Sequence, residues 1–183
     1  MRIITGIARG VKLDTLPTDE VRPTTEMAKE GIFSAIQFDL DSRRVLDLFA
    51  GSGQLGLEAI SRGAERAVFV DESQASVDIV KRNAQKTKLF SQCKIVRMDY
   101  TDYLKKASET FHFIFVDPPY YKKLRPEVVK KIMKYNVLAE DGLIILEGED
   151  AEIDISDIAE EYGIEIKKRY KYGKTYVHTV GRK

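Results

Sequence analysis

The sequence predicts a doubly wound α/β fold, a mainly parallel sheet with helices on both faces, preceded by a hairpin and a helix. Three observations carry this. Apolar runs alternate with helix-like segments, a glycine-rich turn follows the first run, and four successive runs end on an aspartate. Near-continuous Val, Ile, Leu and Phe mark strands buried on both faces, as parallel strands are beneath helices. Their alternation with helices is the doubly wound pattern, with right-handed crossovers expected. A length of 183 residues with 43% hydrophobic content suits one domain with a core of its own.

In chain order, "RIITGIARGVKL" predicts a hairpin reversing around Gly6–Gly10. "RPTTEMAKEGIFSAIQF" predicts a helix, with Pro23 ahead of it, Thr24 or Thr25 as cap and Glu26 at the positive end of the dipole. Ala28, Ile32, Ala35 and Ile36 form its apolar stripe. Strands are expected at 43–50, 66–71, 93–99, 111–117 and 142–149. "SQASVDIVKRNAQ" is a helix opened by a capping serine, with Val77, Val80 and Ala84 on one side. "RPEVVKKIMKY" is another, with Val128, Ile132 and Tyr135 inward. An acidic helix-like stretch follows Glu149, and "IEIKKRYKYGKTYVHTV" gives strands around a turn at Gly173. Residues 1–43 are thus an extension and 44–183 the sheet domain, in one compact unit.

Composition excludes several classes. Cys93 is the single cysteine, so no internal disulfide or thiolate zinc cluster forms, and His112 and His178 are too far apart in sequence to suggest a metal site. No apolar run approaches the roughly 20 residues of a membrane span, and the N-terminus lacks a secretory apolar stretch. A cytoplasmic protein without metal is expected. The net charge of +1 is uninformative, but its distribution is not. Residues 139–165 carry eleven acids and no Lys or Arg, and residues 167–183 carry seven Lys or Arg and no acid. Lys122, Lys123, Arg125, Lys130, Lys131 and Lys134 form a further basic cluster, with Glu127 its only acid. Solvated faces explain many such runs, but two basic clusters together favour a polyanionic substrate.

"DLFAGSGQLGLEA" follows the first sheet strand and spells GxGxxG with Gly51, Gly53 and Gly56. Such a turn lets a ligand approach the backbone and offers free N–H groups at the next helix. It serves a nicotinamide dinucleotide or S-adenosylmethionine. Asp47, just before it, is unwelcome beside a pyrophosphate but suits the ammonium of S-adenosylmethionine. Asp71 lies about 20 residues on, where an acid meets ribose hydroxyls in either case. Asp99 can accept from an adenine amino group. Asp117 opens "DPPY", where Pro118 and Pro119 remove two donors and leave carbonyl acceptors beside the carboxylate. That set can hold both hydrogens of an exocyclic amino group, directing its lone pair at an electrophilic methyl, while Tyr120 stacks on the base. On these residues alone the base that carries the amino group stays open, adenine N6 in DNA included, since DPPY also serves there. A nicotinamide oxidoreductase is opposed by Asp47, by DPPY and by the lack of a proton-transfer set. An RNA-binding assembly factor is compatible with the basic clusters.

"MRIITGIARGVKL", "RPTTE", "DLFAGSGQLGLEAISRGA" and "FVDPPY" together resemble the RsmD-like family of bacterial methyltransferases, which modify guanine N2 in 16S ribosomal RNA. The resemblance implies a class I, Rossmann-like S-adenosylmethionine-dependent methyltransferase, with a seven-stranded sheet whose last strand is antiparallel. It implies cofactor contacts at Asp47, Phe49, Gly51, Ser52, Gly53, Gly56, Asp71, Glu72, Asp99 and Tyr100, and a catalytic set of Asp117, Pro118, Pro119 and Tyr120. RNA contacts are expected from Arg2, Arg9 and Lys12 on the hairpin, from Arg22, Thr24 and Thr25 at the site mouth, and from Lys122, Lys123 and Arg125. The implied partner is 16S rRNA in a small-subunit assembly particle, met by a monomer with neither metal nor membrane. Asp71 replaces a frequent Glu, Glu26 a frequent Asp, and Gln54 a small residue.

Overall fold

A computed structural model describes residues 1–16, 26–36, 39–118 and 124–183. Among these the strands are β1 (Arg44–Asp47), β2 (Arg66–Asp71), β3 (Cys93–Arg97), β4 (Phe111–Val116), β5 (Leu138–Gly148), β6 (Ile164–Tyr172) and β7 (Thr175–Arg182). The helices are α1 (Glu26–Ile36), α2 (Gln54–Ser61), α3 (Gln74–Lys86), α4 (Tyr100–Lys106), α5 (Arg125–Lys134) and α6 (Ser156–Tyr162). One seven-stranded sheet runs β3-β2-β1-β4-β5-β7-β6. Strands β1 to β5 pair in parallel, and β7 is antiparallel to both β5 and β6. The chain moves outward from β1 to β3, then returns to β4 on the other side of β1. That reversal between β1 and β4 opens the crevice where ligands bind in open α/β sheets.

Two apolar layers cover the sheet. One joins residues of α1, α2 and α3 to Ile3, Ala8 and Leu13 of the N-terminal arm; the other joins α4, α5 and α6. Burial follows most of the predicted stripes, with Ala35 half-buried and Lys29 and Phe33 added on α1, and Val129 and Met133 added on α5, while Tyr135 lies just past the end of α5 and is half-buried. The strands match their expected places, with β1 shorter and β5 starting earlier. Local chemistry sets the helix ends. Ser73 caps α3, Pro126 stands in the first turn of α5, and Gly163 stops α6 at φ 63°.

The expected N-terminal hairpin is a chain reversal with one bridge, Arg2 to Lys12. It is fastened to the body rather than free. Gly6 has φ 88°, and a Cβ there would lie 1.7 Å from the Ser61 carbonyl oxygen. Ile7 N–H donates to that oxygen at 2.8 Å, and Ala8 N–H to Ser61 Oγ at 3.0 Å. Glu58, fully buried on α2, accepts from the N–H groups of Ile4 (2.8 Å) and Thr5 (2.9 Å) and faces the buried Lys29 ammonium at 3.4 Å. Lys29 in turn donates to the Arg2 carbonyl at 2.5 Å.

At the outer edge, the β6–β7 pairing slips by one residue between Ile166 and Lys168. Before the slip, Ile164 and Ile166 pack into the α4–α6 layer; after it, Tyr170 and Tyr172 pack into the α1–α3 layer. Tyr172 lies on α1 where Gly31 leaves room, since a Cβ at Gly31 would sit 2.0 Å from its Cζ.

Candidate active site

The carboxyl ends of β1, β2, β3 and β4 bring Asp47, Asp71, Asp99 and Asp117 to one edge of the sheet, as expected. Asp47 is 3% exposed, and its Oδ2 accepts from the Gly56 N–H at 3.0 Å. It therefore does for α2 what a capping side chain does elsewhere, because Gly53 at the N-cap has none. Asp71 grips the glycine loop from the other side: Oδ2 accepts from the Gly51 N–H and Oδ1 from the Ser73 N–H, both at 2.9 Å. A carboxylate has about four lone-pair sites, so acceptors remain for two hydroxyls. Asp99 caps α4, its Oδ1 accepting from Thr101 N–H at 2.8 Å. Glu72 is exposed next to Asp71.

The three loop glycines act differently. Gly51 (φ 53°) faces open space, with nothing within 4 Å of a Cβ position. Gly53 needs its φ of 76°, and Gly56 lets α2 close on β2, where a Cβ would lie 2.3 Å from the Phe69 ring. Half-buried Phe49 and Tyr100 meet at 5.2 Å between centroids. Tyr100 is held from α5, its hydroxyl 3.2 Å from Lys131 Nζ and the same ammonium 4.9 Å from its ring centroid. Gln54 is 7% exposed, and its Oε1 has no hydrogen-bond partner among the described residues. An open backbone turn, acceptors at Asp71, two aromatic rings and a spare buried acceptor fit a nucleoside carrying a polar amino-acid tail.

Burial pushes the Asp47 carboxyl up to about 8, the Gly56 N–H opposing this and the charges of Asp117 and Asp71 adding to it. An unfolded aspartate loses its proton near 3.9. The folded state thus holds an extra proton between about pH 4 and 8, so this group's stabilisation is full at low pH and lost as pH rises through about 8. Asp47→Asn keeps an acceptor for Gly56 and never titrates. Its urea midpoint should fall less than that of the parent between pH 5 and 8; parallel curves would show that Asp47 is ionised throughout.

Asp117 follows β4 half-buried and Pro118 is buried behind it. Pro119, Tyr120, Lys122, Lys123, Arg22, Thr24 and Thr25 lie outside the described residues. Arg2, Arg9 and Lys12 are exposed, with Arg2 at 3.4 Å from Glu26. Because Gly6 to Ala8 dock at the far end of α2, Arg9 lies about one helix length from the glycine loop, whereas Met1 sits over Ser52 (3.5 Å). Arg125 departs from expectation. It is 5% exposed, donates to Asp150 at 2.6 Å and lies against Gly148, so it is a wall residue rather than a solvent-facing charge for RNA. The charge runs also partly cancel: Lys167 pairs with Glu165, Arg169 with Glu152, and Lys131 with Glu127. His112 and His178 have local partners, Nδ1 accepting from the Arg44 N–H (3.2 Å) and Nε2 lying 3.0 Å from the Ala151 carbonyl.

Sequence reasoning missed Asn83. It is fully buried, takes the Asp14 N–H on Oδ1 and donates to the carbonyls of Asp14 and Ser52. The signal was an amide one position before Ala84, on the buried and mainly apolar face of α3.

The family model described as conserved hypothetical protein 95 matches residues 1–181. YlbH of Bacillus subtilis, named as a candidate rRNA methyltransferase, is 36% identical over 173 residues, 93% of this chain and 94% of that protein. Ribosomal RNA small subunit methyltransferase D of Escherichia coli K12 is 33% identical over 150 residues, 81% of this chain and 75% of that one. Among solved structures, the methyltransferase candidate yhhF of Escherichia coli superposes with a TM-score of 0.84 at 28% identity, covering 100% of this chain and 98% of that one.

Proposed function

Because this chain belongs to the RsmD-like family and has the class I methyltransferase fold, we propose that it methylates small-subunit ribosomal RNA, at the exocyclic N2 amino group of a guanine. The observation that carries the reading is the juxtaposition of two acids on neighbouring strands. Asp47 ends β1 beside the glycine loop, Asp117 follows β4, and the charge of Asp117 is felt at Asp47.

S-adenosylmethionine, when bound, supplies an electrophilic methyl on a sulfonium. The chain's residues do the rest by position and charge. Asp47, Gly51, Ser52 and Gly53 receive the amino-acid end, Gly56 serving only to close α2 on β2 and to hold Asp47, while Asp71 takes the ribose hydroxyls and Glu72, Asp99, Phe49 and Tyr100 the adenosine. Asp117 accepts a hydrogen of the target amine and stabilises the positive charge growing on its nitrogen. Pro118 and Pro119 add carbonyl acceptors, and Tyr120 stacks on the base. Holding amine and methyl in line contributes much of the rate. Arg2, Arg9 and Lys12 meet RNA phosphates, joined by Arg22, Thr24, Thr25, Lys122 and Lys123.

The test is methyl transfer to 16S rRNA with and without small-subunit proteins, followed by mass spectrometry of nucleosides. N2-methylguanine is the expected product. N6-methyladenine from DNA, with RNA unmodified, would replace this reading by the alternative acceptor.

A further inference from the structure

Asn83 connects two parts of the molecule that the sequence keeps far apart. Its amide uses each side: Oδ1 accepts from Asp14 N–H at 2.8 Å, and Nδ2 donates to Asp14 O at 3.0 Å and Ser52 O at 2.9 Å. Asp14 lies at the end of the N-terminal arm, directly after Leu13, which is buried in the core. Ser52 lies inside the glycine loop, between Gly51 and Gly53, both at positive φ. A second, weaker contact runs the same way, Ser52 Oγ donating to Met1 Sδ at 3.5 Å. Asp71 meanwhile holds the loop at Gly51, one residue away.

A buried amide with three bonds has one orientation that satisfies them. If Ser52 moves without Asp14, or Asp14 without Ser52, a donor or acceptor is left buried and unmatched, which is costly. Loop and arm therefore favour one joint arrangement. We propose that Asn83 is a positioning residue that couples the cofactor-binding loop to the N-terminal arm, so that filling the loop further steadies the arm. The inference rests on the proposed function only in taking the glycine loop as the S-adenosylmethionine site. By reciprocity, whatever steadies the arm must strengthen cofactor binding by the same factor.

The grip of α3 on the Asp14 side chain supplies an internal comparison. Lys86 Nζ is 2.7 Å and Arg82 Nε 3.9 Å from that carboxylate, both partly exposed. These pairs hold the arm but do not touch Ser52.

The experiment combines calorimetry with S-adenosylhomocysteine and hydrogen exchange on the full chain. In the parent protein the ligand should slow exchange in residues 48–56 and also in residues 1–14. Asn83→Ala should bind the ligand about 5- to 150-fold more weakly, the span of ordinary coupling between sites, and ligand should no longer slow exchange in the arm. Lys86→Gln, which loosens the arm at Asp14, should by the same reciprocity weaken ligand binding in the parent background but leave it unchanged in the Asn83→Ala background, which separates coupling from general loosening. Parent-like affinity in Asn83→Ala, or arm protection that persists without Asn83, overturns the inference. If the parent chain binds no S-adenosylhomocysteine, the proposed function falls first and takes this inference with it, before any variant is compared.

Discussion

Asp117→Ala should bind S-adenosylhomocysteine as the parent does and methylate RNA about 10- to 150-fold more slowly. The range follows from losing one charge-assisted hydrogen bond of roughly 1.5–3 kcal/mol in the transition state. Cofactor affinity should survive because the loop contacts belong to Asp47, Asp71 and the glycines, all upstream of β4. A second readout comes from Asp47. Asp117 is one of the charges that raise its proton affinity, so removing it should move the Asp47 titration to lower pH. Single-turnover methyl transfer, with cofactor saturating, isolates the chemical step from RNA binding. Near-parent turnover there would remove Asp117 from the chemistry.

Glu58→Leu should be the most damaging single change to stability. Both charges of the Glu58–Lys29 pair are fully buried, so the variant leaves an ammonium without its counter-charge and two backbone N–H groups of the arm without an acceptor. Breaking a buried pair from one side costs about 3–5 kcal/mol, a large share of the 5–15 kcal/mol typical of a whole domain. For a chain of this size that means a melting temperature lower by about 6–20 °C. Burial already lowers the proton affinity of Lys29, so part of the loss is relieved if the amine deprotonates. Lys29→Met combined with Glu58→Leu should recover only part of the deficit, because the stranded ammonium is removed while Arg62 still lacks its carboxylate and the Ile4 and Thr5 N–H groups their acceptor. A drop below about 2 °C for Glu58→Leu alone would mean that water reaches the pair.

The sheet and one edge of the site were legible because their signals are local. Apolar runs announced the strands, and Asp47, Asp71, Asp99 and Asp117 each stand at or just past the end of one. GxGxxG announced the turn, with Gly53 and Gly56 serving the geometry its spacing implies. What stayed hidden depends on partners distant in sequence. Lys29 and Glu58 interrupt apolar helix faces, and a charge in that setting has to be paired, but its partner 29 residues away is set only when α1 meets α2. Arg125 opens a helix in a basic cluster and so looks solvated; only the close approach at Gly148 shows that the guanidinium is enclosed. The acidic and basic runs looked like separate surfaces, yet Arg169 reaches Glu152 once the sheet brings β6 near the chain beyond β5.

The slip at Lys167 has a consequence for how the outermost strand is composed. An uninterrupted β6 would keep Ile164, Ile166, Tyr170 and Tyr172 in step on a single side, since alternation has period two. One inserted residue shifts the phase halfway along. The early half of the strand then seals the apolar layer below the sheet and the late half seals the one above it. A single edge strand thereby finishes both layers, and the hollow at Gly31 receives an aromatic ring that strict alternation would have sent to the opposite side.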